Sequence, residues 1–428
     1  MKMMKRPLWI LIVMVCVVWS VSNAYGSGFA IFTQGASELG QADANTAHGD
    51  VPSAMFLNPA LINQFQGTQI EIGTTLLIPS REATSSFSGD SFKTDSEVFF
   101  PSTLYVTHKV SDTVSAGIGI FSPFGLSTDW PGNWEGRYIT TKADLKTFNF
   151  NPVVSVRVTP HVTLAAGVDY LLLDATLEKQ VNLSFLGLPD AYQKFETRGT
   201  NDGWGYNLGA LFDLGKNVSA GVAYRSSIFV GITGDVHHDL PIALPQLAAL
   251  FPDTTGKTSV RLPQQLNAGI AYKGLAPLTV EAGMRWEGWH SFKDLRINLD
   301  QPIAGNTFTV SPRNWKDTYS FMVGGRYDLN RNIALLAGYL YSGNPVPDNT
   351  FEPSIPDANV NLFCAGTEVR YGKLTFSAAY AYQKYQNRTK NNAIDDNPFD
   401  GVVNSATSAN GPYRSSANIV GLSMTYAF

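Results

Sequence analysis

Cysteine is nearly absent. Of the two in 428 residues, Cys16 lies in the leading apolar segment and Cys364 stands alone, so no intramolecular disulfide holds the chain together. Charge is scarce at 15% of residues, which is low for a secreted soluble enzyme. After residue 26 no apolar run reaches the ~18 residues of a spanning helix, because Gly, Ser, Asn or a charge interrupts each one. A phosphate-binding glycine loop, a metal-ligand cluster and a Gly-x-Ser-x-Gly nucleophile are all missing, and no cofactor is called for. His237 and His238 are neighbours that point apart in an extended chain, which speaks against a metal site. His108 and His161 sit at turns with no Ser or carboxylate set beside them, leaving a rim hydrolase little to stand on.

What the chain does have begins with Lys2, Lys5 and Arg6, an apolar run from Leu8 to Val21 and the small, polar "SNAYGSG". That is the layout of a secretory signal, with cleavage after Ala24 or Gly26. The run is short for an uncleaved anchor. Removing residues 1–26 leaves 28 basic side chains against 35 acidic, a net of −7, and no nucleic-acid partner is implied.

A recurring phrase follows: "TVSAGIGI" at 113, "VTLAAGVDY" at 162, "NVSAGVAY" at 217, "LTVEAGMRW" at 278, "NIALLAGYLY" at 332 and "KLTFSAAYAY" at 373. Each copy alternates. In the fourth, Leu278, Val280, Ala282, Met284 and Trp286 share one face of a strand, and Thr279, Glu281, Gly283, Arg285 and Glu287 the other. Each is preceded, across a turn of Asp, Gly, Pro or Asn, by another alternating run, so the pairs read as hairpins. Segments of roughly 15 to 30 residues, too long for a compact soluble domain, separate the hairpins at 122–142, 177–199, 231–257, 291–315, 343–358 and 388–413.

Six hairpins, one strand at 69–80 and one at 416–428 make fourteen. An even antiparallel set with apolar-out, polar-in alternation, short turns on one side and long loops on the other predicts an all-β membrane protein, a fourteen-stranded transmembrane β-barrel. A secreted β-sandwich would carry charge where these strands carry Leu, Val, Met, Trp and Tyr. In the last strand Val420, Leu422, Met424, Tyr426 and Phe428 are expected to face lipid.

Fourteen strands enclose more room than wall side chains alone fill. Residues 27–66, rich in small residues and punctuated by Gly and Pro, suit a compact plug of short helices. Facing it, Arg157, Asp169, Arg225, Glu281, Arg285, Glu287, Arg326, Asp328, Glu368 and Arg370 fall on the predicted lumen side. The domain reading is a signal at 1–26, a small helical hatch at 27–66 and a barrel at 67–428.

Several motifs resemble one family. "SGF" followed by "GASELGQADANTAHGDVPSAMFLNPAL", then "FGLSTDW", "LPQQLNAGIAYK", "NWKDTYSFMVGGRYDLN", "GYLYSGNPVPDNTFEPSIPDAN" and "GLSMTYAF" are similar to the FadL/TodX outer-membrane transporters of long-chain fatty acids and other hydrophobic compounds. The resemblance covers the mature chain and favours cleavage after Gly26. It implies a hatch with an Asn58-Pro59-Ala60 turn, a deep ligand site at Phe29 and basic residues that meet a carboxylate. Lys316 in "NWKDTYS" matches one of these, and Lys179 in "ATLEKQ" stands near the second with an offset of a couple of residues. It also implies exit through a kinked third strand, where Gly117, Gly119, Pro123 and Gly125 lie. A strand that simply ends in a Pro turn reads the same residues equally well.

Two loop segments are too apolar for solvent. Leu183, Phe185 and Leu188, with Leu244, Leu247, Leu250 and Phe251, suit a groove that captures an alkyl chain, or else pack the loops together. The expected ligand is therefore a fatty acid, with an alkane or monoaromatic hydrocarbon as the alternative and a general diffusion porin as a second. The expected setting is a monomer surrounded by outer-membrane lipid and lipopolysaccharide.

Overall fold

A computed structural model describes residues 28–96, 98–394 and 408–428. The expected signal segment, 1–26, lies outside the described residues. Fourteen strands form the wall. The first seven are β1 (Thr68–Thr84), β2 (Ser102–Lys109), β3 (Val114–Phe121), β4 (Lys142–Thr159), β5 (Val162–Val181), β6 (Asp202–Asp213) and β7 (Val218–Arg225). The remainder are β8 (Gln265–Leu275), β9 (Leu278–Glu287), β10 (Thr318–Asp328), β11 (Ile333–Ser342), β12 (Val360–Tyr371), β13 (Leu374–Tyr385) and β14 (Gly411–Ala427). Each pairs antiparallel with the next, and β14 returns to β1 in unbroken register from Gln69 opposite Ala427 to Ala83 opposite Tyr413. Closure removes both sheet edges, which is the condition for strands to sit in hydrocarbon. No helix of the described residues is long and apolar enough to cross a membrane, and a β-barrel needs none.

The face assignments follow the alternation. Leu422 and Phe428 are exposed while Gly421, Ser423 and Thr425 are buried. Inside, Asp169, Arg225, Glu281, Arg285, Glu287, Arg326 and Glu368 are buried. Arg157, Asp328 and Arg370 share their parity but stand at the short-turn end, where they are open to water.

Three of the segments expected to be loops, 177–199, 231–257 and 291–315, are strand over about half their length or more. Wall strands β4 and β5 run 18 and 20 residues, well past the ~9–11 a bilayer requires. Above them Ala191–Thr197, Ile228–Asp239 and Thr254–Leu262 pair in sequence. Asp294–Ile303 and Asn306–Pro312 form a further hairpin. Extended neighbours offer open N–H and C=O groups, so apolar segments rising beside them continue the ladder instead of looping freely.

Residues 28–66 fill the lumen. They form one turn of α-helix, α1 (Ala36–Gly40), and two 3-10 turns at Pro52–Phe56 and Pro59–Gln64. Pro52 and Pro59 each sit in the first turn, where a missing N–H costs nothing. Met55, Phe56, Leu57, Leu61 and Ile62 pack against Tyr105, Phe121, Val153, Ala165 and Leu211 of the wall. Asn58 Oδ1 accepts from the Ala60 amide at 3.0 Å, and its Nδ2 donates to the carbonyls of Thr46 at 2.8 Å and Ala210 at 3.1 Å. The Asn-Pro-Ala turn therefore ties the segment both to itself and to β6.

At several wall positions, Gly221 and Gly338 among them, the segment's backbone comes so close that only glycine fits. A Cβ on Gly221 would meet the Thr46 carbonyl, and one on Gly338 the Gln41 carbonyl. The double variant Gly221→Val/Gly338→Val is expected to loosen residues 28–66, at about 1–3 kcal/mol per site. Its barrel should still show heat-shifted gel migration, while its single-channel conductance in planar bilayers rises. Unchanged conductance would count against a seal made by this segment.

Candidate functional site

β3 does not simply end at Phe121. After Ser122–Phe124 it resumes as Gly125–Asp129, still paired with β4 from Gly125 opposite Lys146 to Asp129 opposite Lys142. The interruption frees backbone groups that a membrane wall cannot leave unpaired. The N-terminal segment takes them up. The Ile31 amide donates to the Pro123 carbonyl and the Gly125 amide to the Phe29 carbonyl, both at 2.9 Å. Gln34 Nε2 donates to Ser122 O at 2.7 Å. Of the residues expected at a kink, Pro123 and Gly125 lie at the break. Gly117 and Gly119 stay in regular pairing with β2 and β4, because glycine still supplies both ladder groups.

Phe29 is thereby fixed beside the break, 4% exposed, in a cage of rings. Its centroid lies 4.7 Å from Trp289, 5.7 Å from Trp315, 6.0 Å from Phe292 and 6.1 Å from Phe124. Next to it opens a cavity of about 440 Å³ lined by Phe29, Phe124, Leu77 and Leu145 from within, with Arg81 on its wall. The same cavity reaches Phe100 and Phe148, which face outward at 61% and 53% exposure. It thus runs from the lumen to the lipid side, at the size typical of small-molecule sites.

Lys316 does not reach this cavity. In the connector before β10 the side chains alternate, so Arg313 and Trp315 are buried and Lys316 is exposed, lining a groove on the outer surface instead. The cation that the alternation turns inward is Arg313. It is ion-paired with Glu352, and its guanidinium lies 5.9 Å from the Phe292 ring. Lys179 and Arg313 both line a second cavity of about 240 Å³, together with Leu177, Phe195, Leu295 and Ile297. Lys179 also borders a smaller space of about 190 Å³ shared with Phe251, Ile303 and Phe308.

The apolar loop residues divide. Leu183, Leu247 and Phe251 are buried, Leu188 is half-buried, and Phe185, Leu244 and Leu250 are exposed. Leu247 and Leu250 belong to α2 (Pro245–Leu250). The buried three join one continuous cluster with Phe195, Phe292, Trp315 and Phe29, and Leu188 packs against it. Arg81 and Arg313 were missed in the sequence. The signal for Arg81 was its inward parity with Leu77 and Pro79 on β1.

The segment's middle is held hard. Glu281 accepts the amides of Thr46, Ala47 and His48 and pairs with the His48 ring at 2.7 Å. Arg285 pairs with Asp43 at 3.0 Å, and Arg225, itself ion-paired with Asp169 on the wall, donates to the Phe56 carbonyl at 3.4 Å. The segment's start is held without an ion pair, by the two ladder bonds at Phe29 and Ile31 and by one loop carboxylate. Asp357, between β11 and β12, accepts the Gly28 amide at 2.9 Å. Burial pushes its carboxyl up to about 7, against the opposing pull of the Gly28 and Ala358 amides and of Arg388 and Arg81. A raised folded pKa stabilises fully below the unfolded value of about 4 and is lost as pH rises through about 7. Urea stability of the loop layer, followed by protease cutting within 343–359, is therefore expected to fall between about pH 4 and 7 and to level off above that. Asp357→Asn should flatten that slope; an unaltered slope assigns the dependence elsewhere.

The outer membrane protein transport protein model (OMPP1/FadL/TodX) matches residues 16–428. A long-chain fatty acid transport protein of Salmonella typhi is 25% identical over 380 residues, 82% of this chain and 86% of that one. A 47 kDa outer membrane protein of Pasteurella multocida is 23% identical over 95% of both chains. In fold, the chain is similar to a crystallised FadL homologue of Pseudomonas aeruginosa, with TM-score 0.82 and 19% identity over 94% of this chain and all of that one. It is also similar to the P. putida toluene transporter TodX, at TM-score 0.69 and 17% identity over 92% and 97%. The closed fourteen-strand barrel and the match along nearly its whole length place this chain in the FadL/TodX family of outer-membrane transporters of hydrophobic compounds.

Proposed function

We propose that this protein takes up long-chain fatty acids or closely similar hydrophobic compounds, and that residues 28–66 act as its hatch. The observation that carries this reading is the unbroken apolar cluster from Leu247 and Phe251 in the outer layer to Phe29, ending at a cavity that opens through the wall beside the β3 break. Exposed Phe185, Leu244 and Leu250 offer first contact, and each methylene withdrawn from water contributes about 0.8 kcal/mol. An alkyl chain then moves along apolar surface past Lys179 and Arg313 toward Phe29. Release is sideways, between Phe100 and Phe148, into the lipid side of the wall. Phe29 is the moving part, because the contacts at Gly28–Ile31, which include no ion pair, can part while Glu281 and Arg285 hold the rest of the hatch.

The cations favour an acid over a plain hydrocarbon. A carboxylate entering an apolar cavity needs a charge-assisted partner to offset its desolvation. Arg81 lines the Phe29 cavity, where its Nη1 donates to the Ser127 carbonyl at 2.9 Å, and Arg313 and Lys179 line the cavity before it. Ring closure within one chain supports a monomer as the working unit.

Mass spectrometry of what co-purifies from outer membranes, joined to uptake by cells with this chain as sole carrier, tests the reading. A long-chain acid is the expected ligand. Arg81→Ala should cut retention of that acid about tenfold, from the roughly 1.5–3 kcal/mol of a hydrogen bond to a charged group, and leave an alkane of equal length unchanged. Equal loss for both removes the carboxylate role and favours a hydrocarbon carrier.

A further inference from the structure

The outer wall over β10 to β14 carries a feature that transport through the lumen does not use. Tyr319, Phe363, Tyr380 and Tyr382 face outward at 44%, 53%, 49% and 37% exposure. Tyr380 Oη donates to Asn418 Oδ1, and Tyr339 Oη to Asn361 Oδ1, both at 2.7 Å. Such an aromatic belt marks the headgroup level of a bilayer.

Directly on the loop side of it stand three exposed cations. Lys384 lies two residues beyond Tyr382 on β13, across from Asn361 and Ser416. Arg414 lies on the neighbouring β14, and Lys316 just before β10. Among the described residues none of the three makes an ion pair, although Glu82 stands directly across the β1–β14 ladder from Arg414. The acids nearby are already answered: Asp348 by Arg388 at 2.7 Å, Glu82 by Lys93 at 3.6 Å and Asp317 by His290 at 2.6 Å. With strands about 4.8 Å apart, the three cations spread across about 19 Å of wall.

A groove of about 630 Å³ opens at Lys316, lined also by Asn344, Asn349, Asn359, Asn387 and the ion-paired Asp348 and Arg388. Asn349 and Asn387 are exposed, and among the described residues their amides have no partner, leaving donors and acceptors of the kind that saccharide hydroxyls use. Unanswered positive charge on an acidic chain, set at headgroup height beside an amide-lined groove, complements a phosphorylated sugar better than a bare phospholipid.

We infer that this face binds the phosphorylated saccharide headgroup of an outer-leaflet glycolipid, lipopolysaccharide, through Lys316, Lys384 and Arg414. The inference rests on the outer-membrane setting and not on the identity of the transported ligand. The test uses the full barrel in detergent with purified lipopolysaccharide as the probe, bound stoichiometry and affinity being read by native mass spectrometry. The triple variant Lys316→Glu/Lys384→Glu/Arg414→Glu should keep its heat-shifted gel migration and lose at least tenfold in affinity. The charge-preserving Lys316→Arg/Lys384→Arg/Arg414→Lys should retain it. Enzymatically dephosphorylated lipopolysaccharide should bind at least tenfold more weakly to the wild type. Equal affinity of the charge-reversed and wild-type barrels would overturn the site, and phosphatidylglycerol binding as tightly as lipopolysaccharide would overturn the glycolipid assignment.

Discussion

Everything in this molecule depends on one requirement: a wall standing in hydrocarbon has to satisfy each of its backbone hydrogen-bonding groups internally. Fourteen strands meet it by closing β14 onto β1 over their full length. The requirement is most exposed where β3 breaks at Ser122–Phe124. There the wall borrows its missing partners from Phe29 and Ile31 of the N-terminal segment. The opening in the wall and the start of the segment are thus a single structural unit, and neither can rearrange without the other.

Polar interactions inside the barrel grade that unit from rigid to loose. At its centre, a buried Glu281 gathers three consecutive backbone amides and the His48 ring, and Arg285 meets Asp43. Breaking such a buried charged contact leaves an uncompensated group, which costs several kcal/mol. At its start, Gly28 has the Asp357 carboxyl and Phe29 has van der Waals contact with four rings. Ring contacts are replaceable by another apolar body of similar shape, whereas the Glu281 cluster is not. On the proposed reading, this difference is what would let the entrance to the lateral cavity yield while the rest of the segment stays in place.

The outer layer is built on the same economy of backbone. Long wall strands carry their ladders above the membrane and recruit Ile228–Asp239, Thr254–Leu262 and the 294–312 hairpin. Ordered in this way, the layer buries Leu183, Leu247 and Phe251 against the same cluster that contains Phe29, and leaves Phe185, Leu244 and Leu250 open. An apolar surface of this kind is tolerated in water only in small patches, which is consistent with a place where hydrophobic molecules are met.

The sequence by itself determined the wall. Period-two alternation assigned each side of each strand, from Glu281 and Arg285 inward to Leu422 and Phe428 outward, because a strand has only two faces and a barrel gives each a different solvent. Motif resemblance, and not alternation, singled out Phe29, Asn58-Pro59-Ala60, Pro123 and Gly125, of which Phe29, Pro123 and Gly125 meet at the β3 break. Only the tertiary structure decided which distant residues meet. Lys316 looked like an inward cation from its motif, yet the alternation from Arg313 through Trp315 turns it outside, while Arg81, more than two hundred residues away in the chain, comes to the Phe29 cavity. Such pairings depend on how the ring closes and how the N-terminal segment lies within it, a long-range geometry that no local pattern encodes.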